Sequence, residues 1–281
     1  MSFASPGPSL FSLSSPESYF LIFIAAYSNA MDKDIASRFM KPGKALAGYV
    51  DSFWMVENLS DEYKDIVIVP DGRVDLFFSY SGTEPYHVTL MGIESEPTQT
   101  KFPPKTVIYA VSFKLQGVEY ILQTRIADIV DKGRFLPDDF WGITKDDIND
   151  FDHFCRKVTA KMEGLLPTNI DDRKQRLFDL IYSSSGSLTV KEISEKVYWS
   201  SRQINRYFTE WYGISLKAYC TILRFRASFQ HIAEGKLFPE QNFADQAHFI
   251  KEVKKLSGVN PKELFKNPND RFLQFSALKR D

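Results

Sequence analysis

Histidine and cysteine are scarce in this chain of 281 residues, with four of the first and two of the second. His87, His153, His231 and His248 are scattered, and only His87 falls in a β-rich stretch, so the clustered imidazole and carboxylate ligands of a metal enzyme are missing. Cys155 and Cys220 sit in apolar helical contexts and are too few for a disulfide framework; a reducing cytoplasm is the expected compartment. A Gly-x-Ser-x-Gly elbow, other nucleophile signatures and a Gly-rich phosphate loop are missing too. The expectation is a non-enzyme, with no catalytic residue, metal or cofactor.

Long apolar runs are also lacking. The most membrane-like stretch, Tyr19 to Tyr27, falls far short of the roughly 20 residues that span a bilayer. Met1 to Ala30 contains no Lys or Arg, which removes the basic start of a signal peptide. No membrane partner is expected. Residues 1–30 read as a poorly ordered extension, and Met31-Asp32-Lys33-Asp34 as a more ordinary beginning for the folded chain.

What the chain does have is charge kept apart. From Arg173 onward there are 19 basic and 11 acidic residues, against 16 and 25 before it, a net of +8 following a net of −9. Two domains of opposite charge that attract each other would look like this. So would a basic third that meets a polyanion, because phosphate neutralisation supplies much of the affinity for nucleic acid.

From Leu46 to Leu115 the pattern is mostly β. Tyr49 to Val56, Asp65 to Val69, Val74 to Tyr80 and Thr106 to Leu115 are rich in branched and aromatic residues, and Pro70-Asp71-Gly72, Ser81-Gly82, Pro97 and Pro103-Pro104 supply turns between them. Short strands at this spacing predict a small barrel or sandwich. Beyond Gln116-Gly117 the period becomes helical, with helices expected over Val118 to Leu122, Lys145 to Met162 and Asp171 to Tyr182. The predicted class is α+β: a β-rich domain with flanking helices over 31–166, an all-α domain over 167–270, and a basic tail over 271–281.

The C-terminal third carries the sharpest signal. Val190 to Val197 and Ser201 to Tyr212 read as two amphipathic helices joined by a tight turn. Ile204, Tyr207, Phe208 and Trp211 face inward, leaving Arg202, Asn205, Arg206 and Thr209 outside. Arginine forks onto guanine and an Asn amide pairs with adenine, so this face suits base readout in a helix-turn-helix; a solvated face of an ordinary bundle has the same outline. Gly213 stops the second helix and Ser215 caps the next, Leu216 to Ala233, which is basic at Lys217, Arg224 and Arg226 and reads as a linker to a second unit.

Gly213-Ile214-Ser215-Leu216, Asp245-Gln246-Ala247-His248-Phe249 and Gly258-Val259-Asn260-Pro261, followed by Lys262-Glu263-Leu264-Phe265, resemble the DNA-binding domain of AraC-type (AraC/XylS) transcriptional regulators over roughly Leu188 to Lys266. The resemblance implies a bacterial transcription factor with two helix-turn-helix units and double-stranded DNA as its partner. It places Arg202, Asn205 and Arg206 of the first recognition helix, and Gln246, His248 and Lys251 of the second, at bases. Ser215, Lys217, Arg224 and Lys254 are the expected phosphate contacts. One departure stands out: where the family fits a full support helix, Gly235 to Phe243 leaves about two turns at 3.6 residues each, with Pro239 inside. The second unit is therefore expected to be truncated.

Tyr49 to Trp54, Pro70-Asp71-Gly72-Arg73-Val74-Asp75 and Phe113 ahead of Gly117 are similar to an uncharacterised N-terminal domain found on some AraC-type regulators. That likeness implies a sensor or dimerisation domain, with a small-molecule effector or a homodimer as its partner and Trp54, Arg73 and Asp75 as effector-pocket residues. The plain alternative is a core Trp54 and a surface pair of Arg73 with Asp75. The whole chain thus reads as a sequence-specific regulator; a protein-interaction adaptor that kept the fold and lost sequence-specific binding is the alternative.

Overall fold

The computed structural model describes residues 34–238, 243–267 and 271–272. The strands, in chain order, are β1 (Ile35–Met40), β2 (Val50–Asn58), β3 (Lys64–Ile68), β4 (Val74–Tyr80), β5 (His87–Met91), β6 (Thr98–Phe102), β7 (Val107–Phe113) and, after helix α1 (Leu115–Tyr120), β8 (Gly133–Leu136). Six of them form an antiparallel sheet in the order β1-β2-β7-β4-β5-β8, while β3 pairs with β6 in a second sheet. The arrangement is a sandwich and does not close into a barrel.

Alternation sets the two faces of the larger sheet. In β4, Val74, Leu76 and Phe78 are fully buried, whereas Asp75 and Phe77 between them are half-buried. The buried face is covered by α2 (Phe151–Glu163), whose Phe154 meets Phe78 and Tyr109 edge-on.

The helical part follows as α3 (Asp172–Ser183), α4 (Val190–Val197), α5 (Ser201–Tyr212), α6 (Leu216–Ala227), α7 (Phe229–Ala233), α8 (Gln246–Ser257) and α9 (Pro261–Lys266). Two long helices expected from periodicity are each interrupted. Lys145 to Asn149 is a 3-10 turn, and Asp150, at φ −135°, leaves helical geometry so that its carboxylate accepts from His153 N at 2.9 Å and caps α2. Ser228 separates α6 from α7; its hydroxyl donates back to the Phe225 carbonyl at 2.7 Å, a bond that bends helices. Residues 236–238 of the expected truncated segment are not helical, residues 239–242 lie outside the described residues, and so do the expected extension over 1–30 and most of the tail.

Buried side chains on both sides of Pro167 belong to one continuous cluster, from Phe53 and Phe113 through Phe178 and Tyr212 to Phe225. Polar bonds cross the same boundary. Tyr182 Oη accepts from Leu115 N at 2.9 Å, Tyr219 Oη donates to Gly72 O at 3.0 Å, and Ile126 N donates to Trp211 O at 2.9 Å.

Gly213 ends α5 at φ +75°, and a Cβ there would stand 2.5 Å from Val130 Cγ2 and 2.6 Å from Ala127 O. Left-handed backbone and close approach both require glycine. Gly213→Ala is expected to cost at least roughly 1–3 kcal/mol from the backbone alone, read as a lower midpoint in urea; a midpoint within error of the parent would contradict the packing described.

Candidate nucleic-acid interface

Two capping boxes define the first helix pair. Thr189 Oγ1 accepts from Glu192 N at 3.2 Å while the Glu192 carboxylate accepts from Thr189 N at 2.7 Å, fixing the start of α4. Ser200 and Gln203 repeat the arrangement at the start of α5, at 3.3 Å and 3.1 Å. Between them Tyr198 takes a left-handed conformation at φ 53° with its ring exposed. This gives the short turn that a helix-turn-helix needs.

Ile204, Tyr207, Phe208 and Tyr212 of α5 are buried against Ile193 and Val197 of α4 and against α3. The opposite face presents Arg202, Arg206, Thr209 and Glu210 to solvent. Arg206 is 72% exposed and only loosely held by Glu210, one turn on at 3.8 Å. Asn205 differs: it is half-buried, and its amide oxygen is shielded and without a hydrogen-bond partner.

In α8, Phe249, Val253 and Leu256 point inward, Asp245 caps the N-terminus by accepting from His248 N at 2.8 Å, and Gly258 ends the helix at φ 78°. Lys251, Lys254 and Lys255 are exposed, as are Ser215 and Lys217 at the start of α6. Other expected contacts are committed inward. Gln246 Nε2 donates to Leu237 O at 3.1 Å; His248 accepts from Ala244 N at Nδ1 and so donates from Nε2 to Glu252 at 3.0 Å. Arg224, expected at phosphate, instead bonds Gly186 O, Thr221 and Glu252 at 2.9, 2.9 and 3.1 Å, and its side chain is 14% exposed. A buried carboxylate holds it there.

The three N-terminal residues separate into two places. Arg73 is 6% exposed and pairs with Asp51 at 2.8 Å, not with Asp75, and Arg226 reaches the same Asp51 at 3.3 Å. Trp54 Nε1 donates to Ser112 Oγ at 2.9 Å, and the Ser112 hydroxyl in turn donates to Asp75. Asp71 and Glu94, which sequence reasoning missed, are linked to Asp75 by charge repulsion. Burial first, then repulsion from Asp71, pushes Asp75 up to about 7; burial first, then repulsion from Asp75 and Asp71, pushes Glu94 well above the usual carboxylate value. Burial also raises Asp71 to about 6 against the pull of Arg73.

These shifts have a sign. The folded protein binds protons at Asp71, Asp75 and Glu94 that an unfolded chain with ordinary carboxylates has already released, so stability falls as pH rises through about 6 and 7. The melting temperature is expected to be higher at the acid end of that window than above it, and Asp75→Asn with Glu94→Gln should flatten the slope. An equal slope in the double variant would remove these carboxylates as its source.

Among the described residues, no group of three His, Cys, Asp or Glu side chains could hold a metal ion, and no helix is long and apolar enough to cross a membrane. Cys155 and Cys220 are buried, and burial raises both thiols to about 12, which leaves little thiolate at neutral pH.

A family model described as a domain of unknown function, DUF6597, matches residues 38–133. No curated protein matches the chain. The chain is similar to solved structures of ToxT from Vibrio cholerae: an apo point variant at 11% identity and TM-score 0.44, over 85% of this chain and 99% of that one. A second, bound to (E)-4-(8-methylnaphthalen-1-yl)but-3-enoic acid, is 13% identical at TM-score 0.40, over 86% of this chain and all of that one. A third, described as bound to an unsaturated fatty acid, is 12% identical at TM-score 0.36, over 84% and 96%.

Proposed function

We propose that this protein is a DNA-binding transcriptional regulator of the AraC type whose β-rich part senses a small molecule. The observation that carries the reading is the outer face of α5, where Arg202 and Arg206 project from a helix locked at its start by the Ser200–Gln203 box. The pair α4–α5 has the form of a helix-turn-helix, and the recognition helix of that motif offers its N-terminal residues to the major groove. Lys217, Lys251, Lys254 and Lys255 add exposed positive charge suited to phosphate. Gln246, His248 and Arg224 are held by hydrogen bonds and ion pairs within the fold, which puts the weight of base reading on the first unit.

Selection from random duplexes with the full-length chain at about 0.15 M salt tests this. Enrichment of one motif, lost in the Arg202→Ala/Arg206→Ala double variant, supports the regulator, and the spacing of half-sites would show whether a homodimer binds. A second reading, an interaction adaptor without sequence preference, is favoured by the inward commitment of Gln246 and His248. Salt-dependent binding with no motif would select it.

A further inference from the structure

The inner side of α5 does not rest on the helical part alone. Tyr207, midway along it, donates its hydroxyl to the carboxylate of Glu119 on α1, and Lys174 of α3 donates to the same carboxylate. The Glu119 side chain is 8% exposed and that of Lys174 21%, so the group is largely shielded from water and salt. The Lys174 ammonium also lies 4.9 Å from the centre of the Tyr207 ring. Beside them, Tyr212 Oη stands 3.0 Å from Tyr207 Oη and 3.3 Å from Leu115 O. One carboxylate of the β-rich part therefore receives both α3 and α5.

Glu119 itself stands on a well-anchored element. A single residue, Lys114, separates α1 from β7, an inner strand paired with β2 on one side and β4 on the other. Lys114 N donates to Tyr49 O at 2.8 Å, and a Cβ on Gly117 would come within 2.3 Å of that same oxygen. This leaves α1 no room to slide against the sheet. The C-terminal end of α5 is held separately, where Ile126 N donates to Trp211 O. A bond at the end of a helix leaves rotation about its axis free, whereas one from a side chain at mid-helix restrains it. Arg206 precedes Tyr207 by one residue, so a turn of about 10° that unseats the Tyr207 hydroxyl also carries an arginine at roughly 5 Å from the axis by about 1 Å. That exceeds the narrow distance range of a hydrogen bond to a base edge.

We propose that Glu119 is a positioning residue for DNA reading: by receiving Tyr207 and Lys174 it sets the rotation of α5, and through α1 it makes that rotation depend on strand β7. The inference rests on the DNA-binding reading of α5. The link runs through named contacts, from β7 to α1, to the Glu119 carboxylate, to Tyr207, with Arg206 the next residue along the helix. Such a link is established by energetic coupling between its members and not by their order in space.

The test is a mutant cycle on the full-length chain: Glu119→Ala, Tyr207→Phe, the double variant, and Gln175→Ala as control. Gln175 accepts from Gln116 of α1 at 3.1 Å, and its other side-chain bond, to Asp179, stays within α3, so the control weakens the same boundary without touching α5. Affinity is measured for the selected motif and for an unrelated duplex. The ratio of the two is expected to fall about tenfold in each single variant, the size of one lost buried hydrogen bond to a charged group, and no further in the double. It should largely recover in Glu119→Gln, which keeps an acceptor for Tyr207, and stay at the parent's value in Gln175→Ala. A merely structural carboxylate would lower the melting temperature and leave the ratio alone. The parent's ratio in both single variants, additive losses in the double, or an equal fall in Gln175→Ala would overturn the proposal. Tyr207→Phe removes one oxygen and carries the test if Glu119→Ala does not fold. Amide hydrogen exchange provides an arm without DNA: exchange about tenfold faster in α5, with α8 unchanged, is expected in both single variants, and parent rates there overturn the positioning role whatever the DNA result. If the parent chain binds no motif, the regulator reading fails, and the exchange rates still decide whether Glu119 holds α5.

Discussion

Replacing Asp51 by alanine is expected to destabilise the protein by about 3–5 kcal/mol, the cost of leaving a buried charge without its partner. Asp51 is 6% exposed and accepts from Arg73 at 2.8 Å, from Arg226 at 3.3 Å and lies 3.7 Å from Lys41. Arg73 is equally buried, its Nε has no acceptor, and its remaining bond, to Gly72 O, is long at 3.5 Å. Typical domains are stable by only about 5–15 kcal/mol, so the variant should lose a large part of its margin in urea. Arg73→Met in the same chain removes the orphaned charge and is expected to restore part of the loss. If Asp51→Ala unfolds at the parent's urea concentration, the ion group contributes nothing and the two halves are held by the apolar core and the tyrosine and backbone hydrogen bonds.

The second large effect is expected under the proposed DNA-binding function. An arginine bidentate to guanine discriminates by roughly 1–3 kcal/mol, so loss of Arg202 and Arg206 together should weaken the selected site by roughly 2–6 kcal/mol while changing nonspecific binding much less. Neither side chain supports the fold: Arg202 is exposed and Arg206 has one distant partner. Thermal stability should therefore stay close to the parent's, which separates a reading defect from misfolding. Phosphate contact predicts something else, a uniform loss across all sequences with a salt dependence shallower by about two counterions. Competition binding at several salt concentrations tells the two apart.

Local signals made the helical part legible. Thr189 with Glu192, Ser200 with Gln203, Gly213, Ser215 and Gly258 each fix a helix end within a few residues of themselves, and the ends fall where those residues stand. The strands β1, β5, β6 and β8 were not legible. Thr98-Gln-Thr-Lys-Phe102 has four exposed residues and no alternation to read, and pairing with Lys64–Ile68 makes it a strand. Side-chain partners were hardest. Arg73 looked like a mate for Asp75 two residues on, but alternate residues of a strand do not decide which distant group lies opposite, and Asp51, 22 residues away at a bulge in β2, takes it. Asp71 and Glu94 gave no sign in sequence because the feature that sets them apart is each other.

Because a single core runs across Pro167, the molecule is expected to unfold as one cooperative unit where its length would allow two. Heating should give a single transition, with calorimetric and van't Hoff enthalpies in agreement. A fragment cut near that proline would expose the flanks of Tyr182, Tyr207, Tyr212 and Tyr219 together with their hydroxyls, which now bond Leu115, Glu119 and Gly72. A displacement at the sheet would therefore be expected to reach the footing of the helices, and cutting the chain there would require rebuilding the surface between its two parts.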